Sequence, residues 1–402
     1  AADKNLQIKI ADQSFKAAQA DYRQSNALFL PSITASHTGI STTNPLMAFG
    51  SKLNQEILTQ ADFNPALLNN PARTQNFATK IEILQPLINI DGYYGRQAAK
   101  AKMEAFQFQT ERTKEYLELE INKAYMQLQL AYKAVTVLNK ANTTALSNLQ
   151  VVNNYFKQGM LQKTDVLTVE VRVNEIKNQL QYAKSNVQNA SDYLAFLINE
   201  DLSNSVFKPI EALENSINTI TTNPLLSGDR KDLLAMDQSV KAYEKMAQSS
   251  QMNFLPRLNA FGSYELYDKN ILGMGASGYL VGAQLSWNVF DGYKSIGKME
   301  KAKAEHQKSS IENQQYKAQS QIELNKTNRQ LKDSENKVGL AQLALQQSEE
   351  AYRIRNNRFQ QGLEKTSDLL QAATQMSQKE LELLQAVFEY NITKEYLQFL
   401  TK

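Results

Sequence analysis

Two hydrophobic rhythms divide the chain. Over one long stretch the apolar residues step by four and three: Leu117, Ile121, Ala124, Leu128, Ala131, Val135, Leu138, Asn142, Ala145, Leu149, Val152 and Phe156, with Asn142 the one polar member. That is a coiled-coil seam. Beyond Gly159 the stripe resumes at Val166, Val169, Val173, Ile176, Leu180, Ala183, Val187, Ala190, Leu194 and Leu197, so the two helices are expected to fold back as an antiparallel hairpin. A second seam runs through Leu324, Leu331, Val338, Ala341, Leu345, Tyr352 and Phe359, with Thr327, Ser334, Ser348 and Arg355 in register, and its small members imply close helix packing. Residues 94–158 contain no proline and span about 98 Å as a helix, which no compact globule contains. The returning helix, residues 165–198, spans about 51 Å, and residues 2–28 are expected to stack end to end on it. Residues 231–253 repeat the scheme in the second half.

The other rhythm has a period of two. Tyr279, Val281, Ala283, Leu285, Trp287 and Val289 alternate with Leu280, Gly282, Gln284, Ser286 and Asn288. Leu258, Ala260, Gly262, Tyr264 and Leu266 alternate with Asn259, Phe261, Ser263, Glu265 and Tyr267, while Phe77, Thr79, Ile81 and Ile83 alternate with Ala78, Lys80, Glu82 and Leu84. A weaker pattern covers residues 32–40. Each run reaches the roughly 9 to 11 residues that a tilted strand needs to cross a bilayer, and aromatic residues lie near the ends, where an interfacial girdle sits. Taken in isolation, the same runs also suit a soluble sandwich or a sheet edge. Four strands cannot close a barrel and lipid tolerates no open edge, so a membrane reading requires several chains to pool their strands.

The chain is an internal duplication. Phe29-Leu30-Pro31-Ser32-Ile33-Thr34-Ala35 recurs as Phe254-Leu255-Pro256-Arg257-Leu258-Asn259-Ala260, and Ile90-Asp91-Gly92-Tyr93 recurs as Phe290-Asp291-Gly292-Tyr293. Phe156-Lys157-Gln158-Gly159-Met160 with Thr164-Asp165-Val166-Leu167 recurs as Phe359-Gln360-Gln361-Gly362-Leu363 with Ser367-Asp368-Leu369-Leu370. The order is the same in both halves. The expected division is a first repeat at 1–200 (a helix, a strand pair within 31–90 and a hairpin at 94–198) and a second at 231–402 (a helix, a strand pair within 256–290 and a hairpin at 294–400). Residues 201–230 break the heptads and are expected to form a short mixed belt.

Composition narrows the chemistry. The 402 residues include 44 Lys+Arg, 41 Asp+Glu, 2 His and no Cys. Thiol nucleophiles, disulfides and Cys-ligated metals are excluded, two separate histidines do not make a multi-His site, and no catalytic residue, metal or cofactor is expected. His37 and His306 read as ordinary surface or lumen residues. A net charge of +3, interspersed along the chain, implies no polyanion partner. No apolar run is long enough for a transmembrane helix, and the first residues carry no signal peptide. Gly273-Met274-Gly275-Ala276-Ser277-Gly278 matches the dinucleotide fingerprint, but a strand and not a helix follows it; a loop between paired strands, using glycine's tolerance of positive φ, is expected instead. Gly159 and Gly362 suit left-handed helix ends, and Asp165 and Asp368 suit the first turns of the returning helices.

With Leu-Pro opening strands, Asp-Gly-Tyr closing them and a Gly-apolar-x4-Asp turn at each tip, the chain resembles the outer membrane factor family, the TolC-like exit ducts of Gram-negative bacteria. The segment from Asn44 to Glu56 is similar to one that many members carry between their first two strands. The resemblance implies an α+β membrane protein with four transmembrane strands per chain, a homotrimeric twelve-stranded barrel and long antiparallel coiled-coil hairpins forming a periplasmic tunnel. It implies a passive duct of a tripartite efflux or type I secretion system, located in the outer membrane, with a periplasmic adaptor and an RND-type or ABC inner-membrane pump as partners. The adaptor-docking tips map to Gly159, Met160, Gly362 and Leu363, a tunnel-mouth acidic ring to Asp368 and Asp165, and the lipid-facing strand residues to Tyr279, Val281, Leu285 and Trp287. The family's usual Val before each glycine is Gln158 or Gln361 here. Gln371 and Glu364 stand where some relatives have a second acid and a basic latch. The competing expectation is a soluble coiled-coil scaffold or adhesin stalk.

Overall fold

The computed structural model describes residues 4–201, 206–211, 213 and 226–402. Most of the stretch expected to form a mid-height belt lies outside the described residues, as do the first three residues of the chain. The elements run α1 (Leu6–Gln24), β1 (Ser32–Thr42), α2 (Pro45–Asn54), α3 (Pro65–Asn69), β2 (Thr74–Ile88), α4 (Ile90–Lys157) and α5 (Lys163–Ile198). They continue with α6 (Lys231–Met252), β3 (Arg257–Asp268), β4 (Ala276–Ser286), α7 (Lys294–Gln360) and α8 (Thr366–Thr401). The chain divides into a helical unit (Ala1–Ser14, Phe106–Ala235, Asn313–Lys402) and a sheet unit (Phe15–Ala105, Met236–Glu312), with α1, α4, α6 and α7 contributing to both.

In the helical unit the expected seams are the core. Every member of the α5 stripe from Val166 to Leu197 is buried, because a four-three spacing keeps one face of the helix toward its neighbour. Leu117, Ala124, Leu128 and Ala131 of α4 pack against Val187, Ala190, Leu194 and Leu197 of α5, with Ile8 of α1 completing the cluster. Leu324 of α7 packs against Leu397 and Leu400 of α8. Leu130 of α4 joins Val338 of α7 and Ala386, Val387, Phe388 and Tyr390 of α8, so the two hairpins share a core. Thr327, Ser334 and Ser348 are buried in the α7 seam, as its small residues imply. Phe156 departs from the pattern: it is exposed at the end of its stripe, with Lys163 Nζ 5.8 Å from its ring centroid.

The expected end-to-end junction is present at the start of α1. Asn5, 4% exposed, caps α1 through Oδ1 (2.8 Å from Gln7 N) and donates from Nδ2 to the Leu197 carbonyl at the end of α5 (2.6 Å). In the second half Arg230 takes this place. It is 2% exposed, pairs with Asp232 (3.0 and 2.5 Å) and reaches the Leu400 carbonyl of α8 at 3.4 Å. Tyr316 donates to the same carboxylate at 2.7 Å, and Arg112 donates to the Phe399 carbonyl at 3.1 Å. Each C-terminal carbonyl at these junctions would otherwise lack a helical partner. Burial pushes the Asp232 carboxyl up, but hydrogen bonds from Arg230 and Tyr316 outweigh it and hold it at about 2. Burial and the Asp232 charge push the Tyr316 hydroxyl up to about 12.

In the sheet unit, four antiparallel strands lie in the order β1-β2-β3-β4. The register aligns Ala35, Ile81, Tyr264 and Tyr279 in one row and Ile33, Ile83, Gly262 and Val281 in the next, placing the apolar members on one face. Ser36, Lys80, Glu265 and Gly278 form a row on the other face.

The duplicated Asp-Gly-Tyr turns differ between halves. Asn89 accepts from Gly92 N at 3.0 Å, and α4 begins at once. Val289 occupies the equivalent place and offers no cap, so Gly292 (φ 66°) and Tyr293 (φ 67°) turn left-handed and α7 begins only at Lys294. The glycine-rich β3–β4 loop also departs from expectation. Its left-handed residue is Leu272 (φ 58°), whereas Gly273 and Gly275 leave room for the Asp268 carboxylate, which accepts from Gly275 N at 3.0 Å.

Candidate functional site

Two surfaces carry the residues singled out from the sequence. The first is the apolar face of the sheet. Tyr279, Val281 and Leu285 are 81%, 75% and 67% exposed, and among the described residues the outer edges of β1 and β4 have no neighbouring strand. A contiguous exposed apolar surface of this kind marks contact with lipid or another protein. Trp287 requires a correction. β4 ends at Ser286, so Trp287 lies one residue past the strand, its indole N–H donating to the Phe254 carbonyl at 2.9 Å. That is an aromatic ring at a strand end with its polar edge satisfied, as an interfacial position demands. His37 stacks on Phe77 and bonds Thr79 at 2.9 Å. On the opposite face Lys80 approaches Glu265 at 3.4 Å and Glu82 at 3.7 Å.

The second surface is the pair of hairpin turns. Gly159 and Gly362 have φ of 74° and 73°. In each turn the glycine N–H reaches back three residues, Gly159 to Phe156 and Gly362 to Phe359, and the next N–H reaches back five, Met160 to Tyr155 and Leu363 to Arg358, all at 2.9 Å. This Schellman pattern needs a left-handed residue, and no neighbour crowds the missing Cβ at either position, so backbone conformation alone selects glycine. Met160 and Leu363 are 68% and 62% exposed. The tips are joined: Val152, Val166 and Val169 share a core with Phe359, Leu369 and Leu370, and Tyr155 donates to the Gln360 carbonyl at 3.0 Å.

The two aspartates sit differently. Asp165 accepts from Gln162 N at 3.0 Å in a capping box at the start of α5. Asp368 lies in the first turn of α8, with Arg355 Nη1 at 3.7 Å. The same Arg355 donates to Glu364 at 2.9 Å, as does Arg358, also at 2.9 Å. Two acids and two arginines thus form one network at the second tip. Sequence reasoning placed Arg355 in the α7 seam and Glu364 at a departure from the family pattern, but the fold was needed to bring them together.

Fold and exposed sheet face define a protomer of an outer-membrane exit channel, with a four-stranded sheet and long helical hairpins. The chain belongs to the outer membrane efflux protein family, whose model matches residues 1–200 and 225–401. A search of curated protein sequences found no significant match. Among solved structures, the Campylobacter jejuni CmeC outer membrane channel is similar at 16% identity and a TM-score of 0.85, over 99% of this chain and 83% of that one. Vibrio cholerae outer membrane protein VceC aligns at 16% identity and a TM-score of 0.81, over 98% and 92%. The open-state Neisseria gonorrhoeae MtrE channel aligns at 14% identity and a TM-score of 0.80, over 100% and 87%. Among the described residues no helix is long and apolar enough to cross a membrane.

Proposed function

We propose that three copies pool their strands into one twelve-stranded outer-membrane barrel above a periplasmic helical tunnel. The barrel serves as the passive exit duct of a tripartite efflux or type I secretion system. The observation that carries this reading is a sheet whose two edge strands and apolar face are all left open among the described residues, since an apolar outer face suits lipid while unpaired edges are not stable there until the sheet closes. The two internal repeats, 1–200 and 231–402, supply the strand pairs and hairpins of each protomer. Gly159-Met160 and Gly362-Leu363 form the docking tips for a periplasmic adaptor, which couples the duct to an RND-type or ABC pump. Asp368 and Asp165 supply the acidic ring of the tunnel mouth, with Arg355 tempering the charge of Asp368. No catalytic step is required, since the pump provides the energy. Native mass measurement in detergent tests the assembly: a trimer that conducts in planar bilayers is expected, and a stable conducting monomer refutes it.

A further inference from the structure

The connection between β1 and β2 is a folded cap. Asn44 and Asn64 side chains accept from Met47 N (3.2 Å) and Ala66 N (3.0 Å), fixing the starts of α2 and α3. Asp62 accepts from Thr59 N at 2.8 Å and from Lys52 Nζ at 2.7 Å, and Phe49 packs edge-on against Phe63 with centroids 5.6 Å apart. The cap lies on the polar face of the sheet. Gln55 Nε2 donates to Asn76 Oδ1 at 2.7 Å, α2 contacts both β2 and β4, and Thr74, Asn76 and Ala276, all on that face, are buried. The cap also leaves large apolar side chains uncovered: Leu46, Met47, Phe63 and Leu67 are 81%, 50%, 60% and 50% exposed.

In a barrel whose apolar face meets lipid, the polar face turns inward and brings the cap into the mouth remote from the helices. Twelve strands about 4.8 Å apart and tilted by about 40° enclose a backbone radius of roughly 12 Å. A helix with its side chains is about 10 to 12 Å across. One cap against the wall therefore reaches the axis, and three must meet there. We infer that the exposed apolar residues of 45–70 form a self-association surface whose occupant is the same surface of the other two copies, and that the three caps constrict the outer mouth and limit its conductance.

This inference rests on the trimeric reading, and its test separates the two. The chain contains no cysteine, so Leu46→Cys introduces a single thiol at an exposed site, and Tyr279→Cys on the apolar sheet face serves as the control. The purified protein, with its mass confirmed in the same detergent, is treated with a short bismaleimide. Covalent dimers, the largest species that one thiol per copy allows, are expected from Leu46→Cys and not from Tyr279→Cys. Replacing residues 45–70 by a short Gly-Ser linker is expected to at least double the single-channel conductance. A trimer that takes up monofunctional maleimide at Leu46→Cys yet forms no links overturns the inference, as does unchanged conductance in the linker variant. A monomeric mass overturns the trimer, and the cap contact with it.

Discussion

Asp232 shows how much a single buried charge contributes to the helical wall. A folded-state value of about 2 against an ordinary 3.8 corresponds to roughly 2 kcal/mol of stabilisation. Because the folded value is the lower one, the contribution is complete above pH 3.8 and is lost as the pH falls through about 2. Asp232→Asn should therefore lower the melting temperature of the detergent-solubilised protein at pH 7. Its deficit should shrink as both proteins are melted at progressively lower pH between 4 and 2; a pH-independent deficit would show that packing, and not the carboxylate charge, carries the effect. Asn5 answers to the same logic without a charge. Asn5→Ala removes a helix cap and strands the Leu197 carbonyl, at a cost of about 1 to 2 kcal/mol. Protease accessibility near residue 199 should rise.

At the scale of elements, the sheet separates two faces by a single residue of register. Val281→Arg places a charge on the exposed apolar face and should impair membrane assembly by about 2 to 4 kcal/mol if it lies near the midplane, whereas Gln284→Arg on the polar face should assemble normally. Heat-resistant oligomer recovered from outer-membrane fractions measures both, and equal yields would invalidate the face assignment. These faces were legible from alternation, and the α5 stripe was legible to its last member, because both periods record which side of an element is covered. The start of α7 at residue 294 was legible too, but that of α4 was not: it begins at Ile90 instead of 94, because Asn89 caps the turn where the second half has Val289, a difference that the strong likeness of the flanking duplicated motifs conceals. The helices of the β1–β2 cap were also missed: α2 and α3 are short, and their signals, Asn44-Pro45 and Asn64-Pro65, are turn signals as much as helix starts. The Arg355–Glu364–Asp368 network depends on two helices meeting at a tip, which spacing alone does not specify.

For the whole molecule, the proposed tunnel mouth depends on charges repeated by symmetry. Three copies of Asp368 around a narrow aperture favour cations, but Arg355 stands 3.7 Å from each. Asp368→Asn should reduce cation preference in bilayer recordings, Arg355→Gln should increase it, and Asp165→Asn should have the smaller effect. Identical selectivity in Asp368→Asn and the parent, with normal assembly, would return Asp368 to the role of a helix-starting charge. The junctions at Asn5 and Arg230 have an electrical consequence for the same duct. A helix ends in a partial negative charge and begins in a partial positive one. Where α5 gives way to α1, these opposite poles meet and cancel, and Lys4 and Glu200 neutralise each other across the seam at 2.6 Å. Where α8 meets the start of α6, the Arg230 guanidinium covers the negative pole. The wall is spliced twice without leaving a backbone charge at either splice, so a solute passing this level meets only the field of side chains.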